Sequence, residues 1–185
     1  VDASGTYQIA AGVLLLTSFK SNKQATLMEQ SYWLFGTHLT ILTDEQATNS
    51  LYDLIDGRFS AGAETPLHRH TNYSELIYAV EGEFTVYTDA GVTTLSPGDH
   101  IFIPMNTPHA VVASGEAESR GITVASPSGF AKLIRSVGTP GSFDSLPPDQ
   151  SNQMSLFLEL SEEIGDVLMG PPGTRPELKT KLVES

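Results

Sequence analysis

From residue 31 to residue 126 the chain alternates short apolar runs with turn-forming clusters. The runs are 32–42, 51–59, 75–80, 83–88, 92–95, 100–103, 109–113 and 120–125. Between them lie Glu81-Gly82, Asp89-Ala90-Gly91, Ser96-Pro97-Gly98-Asp99 and Ser114-Gly115-Glu116, each suited to a tight reversal. Short strands at this spacing predict an all-β sandwich or barrel. Residues 76–80 are apolar at every position, which predicts a strand covered on both faces, by the core on one side and by another sheet or subunit on the other. Residues 9–19 read as a further strand, and 22–30 as a loop or short helix.

After Ser126 the period changes. Phe130, Leu133, Ile134 and Val137 recur at helical spacing, and Gly138 fits a helix stop. A loop rich in Pro, Ser and Asp follows. Met154, Phe157, Leu158, Leu160, Ile164, Val167 and Leu168 then predict a helix over 152–169, ended by Gly170-Pro171-Pro172-Gly173. The expected organisation is a barrel domain with an N-terminal extension over 1–140, and a C-terminal helical segment over 141–185 packed on it.

Composition narrows the function. Ten Lys and Arg face 22 Asp and Glu, a formal charge of −12. That surface is wrong for nucleic acid or for an anionic membrane. The chain has no cysteine, so disulfides, thiolate metal sites and cysteine nucleophiles are excluded. The apolar run 9–16 is too short to span a bilayer, and no cation precedes it, so a cytoplasmic protein is expected.

Candidate chemistry gathers in three histidines and a carboxylate. His68 and His70 are two apart and share one face if they lie on a strand. Glu75 follows a short polar link, and His109 begins another apolar run just after Pro108. Three imidazoles and one carboxylate can converge on one transition-metal ion. Singly, each has a plainer reading: an incidental His-x-His, a solvated turn glutamate, a buried structural histidine. Of the rest, His38 is expected to be structural, His100 to lie on the surface, Arg69 to anchor an outer-face carboxylate and Glu64 to be a loop charge.

The glycines and prolines around these residues carry a resemblance. Gly62, His68, His70, Glu75 and Gly82 fall at the spacing of the first cupin motif without a departure. Gly98, Pro104 and His109 match the second, with Asn106 where glycine is usual and Ala113 where asparagine is usual. Asparagine tolerates positive φ better than most residues, so the turn at Asn106 is expected to survive. The chain resembles the cupin family over about 57–125. Through Tyr32-Trp33-Leu34-Phe35-Gly36-Thr37 and Ala125-Ser126-Pro127-Ser128-Gly129-Phe130 it is similar to the single-cupin branch near the quercetin 2,3-dioxygenases.

That resemblance implies a jelly-roll-like cupin barrel and one divalent transition metal (Fe, Mn, Ni, Co, Cu or Zn) held by His68, His70, Glu75 and His109. It implies a dioxygenase that opens a flavonol or similar enolisable ring with dioxygen, with Glu75 also serving as the base. The small-molecule substrate would sit among apolar walls, for which Tyr32, Trp33, Phe59, Tyr73, Phe84, Phe102 and Phe130 are candidates. Two readings stand beside it: a cupin isomerase, decarboxylase or oxygenase acting on a small oxyacid, which would want a basic residue at the pocket mouth, and a non-catalytic binding module. A homodimer is expected from the apolar strand 76–80 and from exposed sheet edges.

Overall fold

The structure is a computed structural model and describes residues 30–179. The expected strand over 9–19 and most of the segment 22–30 lie outside the described residues. Two antiparallel sheets face each other. In chain order the elements are β1 (Ser31–Leu34), β2 (Thr37–Thr43), a one-turn α1 (Glu45–Thr48), β3 (Asp53–Phe59), β4 (Leu67–His70), β5 (Ser74–Glu81), β6 (Phe84–Thr88), β7 (Gly91–Leu95), β8 (His100–Ile103), β9 (His109–Ala113), β10 (Ser119–Ser126), α2 (Phe130–Val137), β11 (Thr139–Pro140), α3 (Met154–Ile164) and β12 (Asp166–Gly170). The large sheet runs β11-β1-β2-β3-β10-β5-β8, and the small one β12-β4-β9-β6-β7.

Period-two patterning buries one face of each sheet. Ile77 and Ala79 from β5 and Ile103 from β8 meet Phe84 and Val86 from β6 and Val111 and Ala113 from β9. Phe59 closes against Phe84 edge to face, with ring centroids 5.4 Å apart. A second cluster lies at the other end of the large sheet. There Leu39, Ile41 and Ile55 pack under Leu133, Ile134 and Val137 of α2, with Phe157, Leu160 and Ile164 of α3 against them. The buried Asp53 carboxylate accepts from the amides of Gly129 and Ala131 and so caps α2. Among the described residues no helix is long and apolar enough to cross a membrane.

Two expectations change. The run 32–42 is a hairpin, because Phe35 and Gly36 both take positive φ (46° and 85°) and reverse the chain between β1 and β2. The C-terminal helix is present but stops at Ile164. Gly165 (φ 88°) ends it, and a Cβ there would meet the Asn72 and Thr71 side chains at 2.6 Å. Residues 166–169 are accordingly strand, paired with β4. On the outer face of β5 Tyr78 is 41% exposed, so the described residues do not themselves supply the second cover expected there.

Candidate metal centre

β4 sets the first two histidines. Its register with β9 brings His68 directly opposite His109, so three imidazoles from two neighbouring strands meet at one end of the inter-sheet space. One ring nitrogen from each of His68, His70 and His109 lies within 4.8 Å of the others. Glu75, at the start of β5 on the facing sheet, places Oε2 3.3 Å from Nε2 of both His70 and His109. Asn106, in the turn before His109, has φ 64°, the left-handed conformation expected of it. Its amide donates to the His70 carbonyl at 2.7 Å, which ties the β8–β9 turn to the histidine strand.

Each histidine has an acceptor on Nδ1. His68 donates to the Pro66 carbonyl (2.8 Å), His109 to the Thr107 carbonyl (2.9 Å) and His70 to Asp166 Oδ1 (2.6 Å). A proton held on Nδ1 leaves Nε2 as the ring nitrogen available to a metal. His109 Nε2 is buried with no hydrogen-bond partner among the described residues, although Glu75 Oε2 lies 3.3 Å away. An orphaned buried ring nitrogen, next to two others and a carboxylate, is a donor set that suits a transition metal. Two donors each about 2.1 Å from one ion and at right angles sit about 3 Å apart, which is near the 3.3 Å from Glu75 to His70 and His109; the three ring nitrogens are within 4.8 Å of one another.

The electrostatics follow from burial and neighbours. Burial, with His109 and His70 adjacent, pushes the His68 imidazole down to about 3. Burial acts in the same direction on His70, but Asp166 and Glu75 outweigh it and raise that ring to about 9. Burial alone would raise the Glu75 carboxyl; contact with His109 and His70 instead holds it well below the ordinary range. Tyr73 is stacked on His70 (4.1 Å between centroids, 25° between planes). Burial first, then the Asp166 and Glu75 carboxylates, raises its phenol well above 10, so it stays neutral.

His68, His70 and Glu75 open onto a cavity of about 530 Å³, with His109 fully buried behind them. Its walls include Leu39, Ile55, Ile77 and Val111 and four of the seven aromatic candidates: Phe59, Tyr73, Phe84 and Phe130. Tyr32 packs instead in the helix-side core, Trp33 against His38 and Phe143, and Phe102 is 58% exposed. His38 is structural, with Nε2 donating to the Gly141 carbonyl at 3.1 Å, and His100 is exposed. Arg69 has no ion-pair partner among the described residues, and its Nε is buried unpaired, so the expected outer-face anchor is absent there. Glu64 is more than a loop charge. It lines the cavity, pairs with Arg175 and accepts from the Gly173 amide at 2.7 Å, fastening the segment after β12, whose Pro171 and Pro172 also line the cavity. Sequence reasoning missed Asp166 altogether. The one local signal was Gly165, a glycine inside an apparently helical pattern, which marks a stop.

Residues 57–125 match the family model described as a cupin domain. The chain carries a cupin domain. Over 101 residues, 54% of its length, it is 28% identical to a quercetin 2,3-dioxygenase of Bacillus subtilis (strain 168), and it spans 29% of that curated relative. Among solved structures it is similar to KdgF from a Halomonas species (29% identical, 51% of this chain and 82% of that one, TM-score 0.46). It is also similar to an RmlC-like cupin from Shewanella frigidimarina NCIMB 400 (30% identical, 50% and 78%, TM-score 0.44). In this cupin both motifs lie where the strands need them: Gly62 and Gly82, each with positive φ, bracket the segment that carries His68, His70 and Glu75, and Pro104 precedes the turn to His109.

Proposed function

We propose that this cupin is a metal-dependent dioxygenase that opens a flavonol or similar enolisable aromatic ring, with His68, His70, His109 and Glu75 as the ligands of one divalent transition metal. The observation that carries the reading is the cavity. Its volume suits a drug-sized ligand, its walls are mostly apolar, and among the described residues no Lys or Arg lines it. A small oxyacid would leave its charge unpaired there. Three cations are engaged elsewhere, Arg58 with Glu118 and over Phe143, Arg120 with Asp56 and Lys132 with Glu163, and Arg69, which has no ion-pair partner among the described residues, does not line the cavity. Similarity to the Bacillus quercetin 2,3-dioxygenase supports the same substrate class.

A bound divalent metal supplies Lewis-acid stabilisation of the substrate's deprotonated hydroxyl and a path for electrons to dioxygen. The chain's own residues do the rest. Glu75, ionised and facing the cavity, takes the hydroxyl proton. Phe59, Phe84 and Phe130 offer apolar walls to a flat ring. Tyr73 keeps its proton, so it donates rather than accepts.

The test is oxygen uptake by metal-loaded protein against flavonols, catechols and small oxyacids. Uptake with a flavonol is expected. Full metallation without uptake on any flavonol would move the assignment to the oxyacid enzyme. A homodimer and a cytoplasmic location belong to the same reading. The partly bare outer face of β5 and the exposed Phe102 beside it support self-association, and light scattering should return twice the 19.9 kDa chain mass.

A further inference from the structure

The three histidines are not held in the same way. For His68 and His109 the Nδ1 acceptor is a backbone carbonyl two residues upstream, so ring orientation comes with the local strand. For His70 it is a side-chain carboxylate 96 residues downstream. Asp166 is the first residue of β12 and the register partner of His70, which puts the two side chains next to each other across the strands. Its carboxylate is almost fully buried. Tyr73 stacks on the same imidazole, with its hydroxyl in hydrogen-bonding reach of Asp166. The strand itself is anchored at this point, because Thr71 donates to the Gly165 carbonyl from both its amide (2.7 Å) and its hydroxyl (3.0 Å).

We propose that Asp166 is a positioning residue. It fixes His70 as the Nδ1–H tautomer with Nε2 directed at His109 and Glu75, so that the metal centre is completed by a strand outside the segment that carries the ligands. The inference rests on the metal-binding reading above. Asp166 touches only the far side of the ring and supplies no bond to the ion. What it supplies is orientation and a more basic imidazole. Loss of such a partner usually weakens metal binding by about 10–100-fold. A chain that lost β12 would keep all four ligands and hold the metal poorly.

The test uses full-length protein, cobalt(II) as the probe, a competing chelator for affinity and the cobalt d–d absorption for geometry. Wild type should bind one cobalt per chain. Asp166→Ala should bind about 10–100-fold more weakly, with an altered band. Asp166→Asn keeps an acceptor at the same place without the charge, and should fall between the two. Val167→Gly loosens β12 without touching His70, and should bind like wild type.

Asp166→Ala binding within about twofold of wild type with an unchanged band would overturn the proposal. So would Val167→Gly weakening binding as much as Asp166→Ala, since the strand rather than the carboxylate would then be responsible. Should Asp166→Ala fail to fold, Asp166→Asn decides: affinity and spectrum indistinguishable from wild type refute the role. Wild-type protein that binds no cobalt would sink the metal reading and this inference with it. That failure is recognisable because wild type and variants would then behave alike.

Discussion

Glu75 is asked to do two things, and Glu75→Gln separates them. The substitution keeps the shape of the side chain and a neutral oxygen at the same place, but no basic carboxylate. As a ligand, Glu75 is one donor beside three imidazoles, so metal content should fall modestly. As a base it has no substitute among the described residues of the cavity wall. Glu64 is engaged by Arg175 and the Gly173 amide, Asp166 by His70, and Tyr73 holds its proton. With no second acceptor to take over, the loss should be that of a full general base, about 100-fold or more in turnover. A hundredfold corresponds to about 2.7 kcal/mol of transition-state stabilisation. The assay is oxygen consumption with a flavonol, with metal content measured on the same samples so that activity is expressed per bound ion. If the variant's activity simply follows its metal content, and returns to the wild-type level when metal is supplied in excess, Glu75 is a ligand alone and the base must be sought elsewhere.

His68→Ala and His70→Ala should each remove most of the bound metal, read by elemental analysis, because each deletes one of three converging ring nitrogens. Asn106→Gly should leave the melting temperature nearly unchanged, whereas Asn106→Val should cost about 1–3 kcal/mol, since a β-branched residue is strained at φ 64°. Burial would raise the Glu64 carboxyl, but Arg175 and the Gly173 amide bring it below its ordinary 4.5. Its contribution is therefore complete above that value and is lost as the pH falls through the lower folded one. The difference in melting temperature between wild type and Glu64→Gln should be present at neutral pH and shrink toward zero in acid; a constant difference would show that Glu64 acts through packing alone.

Much of the β framework and the donor set was legible because the signals are local. His68 and His70 share a site because strand side chains repeat every two residues. β8 and β9 begin and end where the apolar runs 100–103 and 109–113 do, because turn-forming residues flank them. Asn106 takes positive φ because a short reversal between β8 and β9 leaves few other conformations. The Phe35–Gly36 reversal was hidden, since Phe35 is not a residue type that advertises positive φ. Residues 166–169 read as helix because Val167 and Leu168 continue the apolar spacing of the helix before them. Their true state depends on Gly165 turning the chain and on the unpaired edge of β4 accepting a strand. A hydrogen bond between residues 96 apart leaves no periodicity to read. So the sequence by itself determined which side chains are available to hold an ion and which strands present them. Only the tertiary structure decided that Asp166 stands behind His70 and that no cation among the described residues lines the cavity, because both depend on which distant segments pack together.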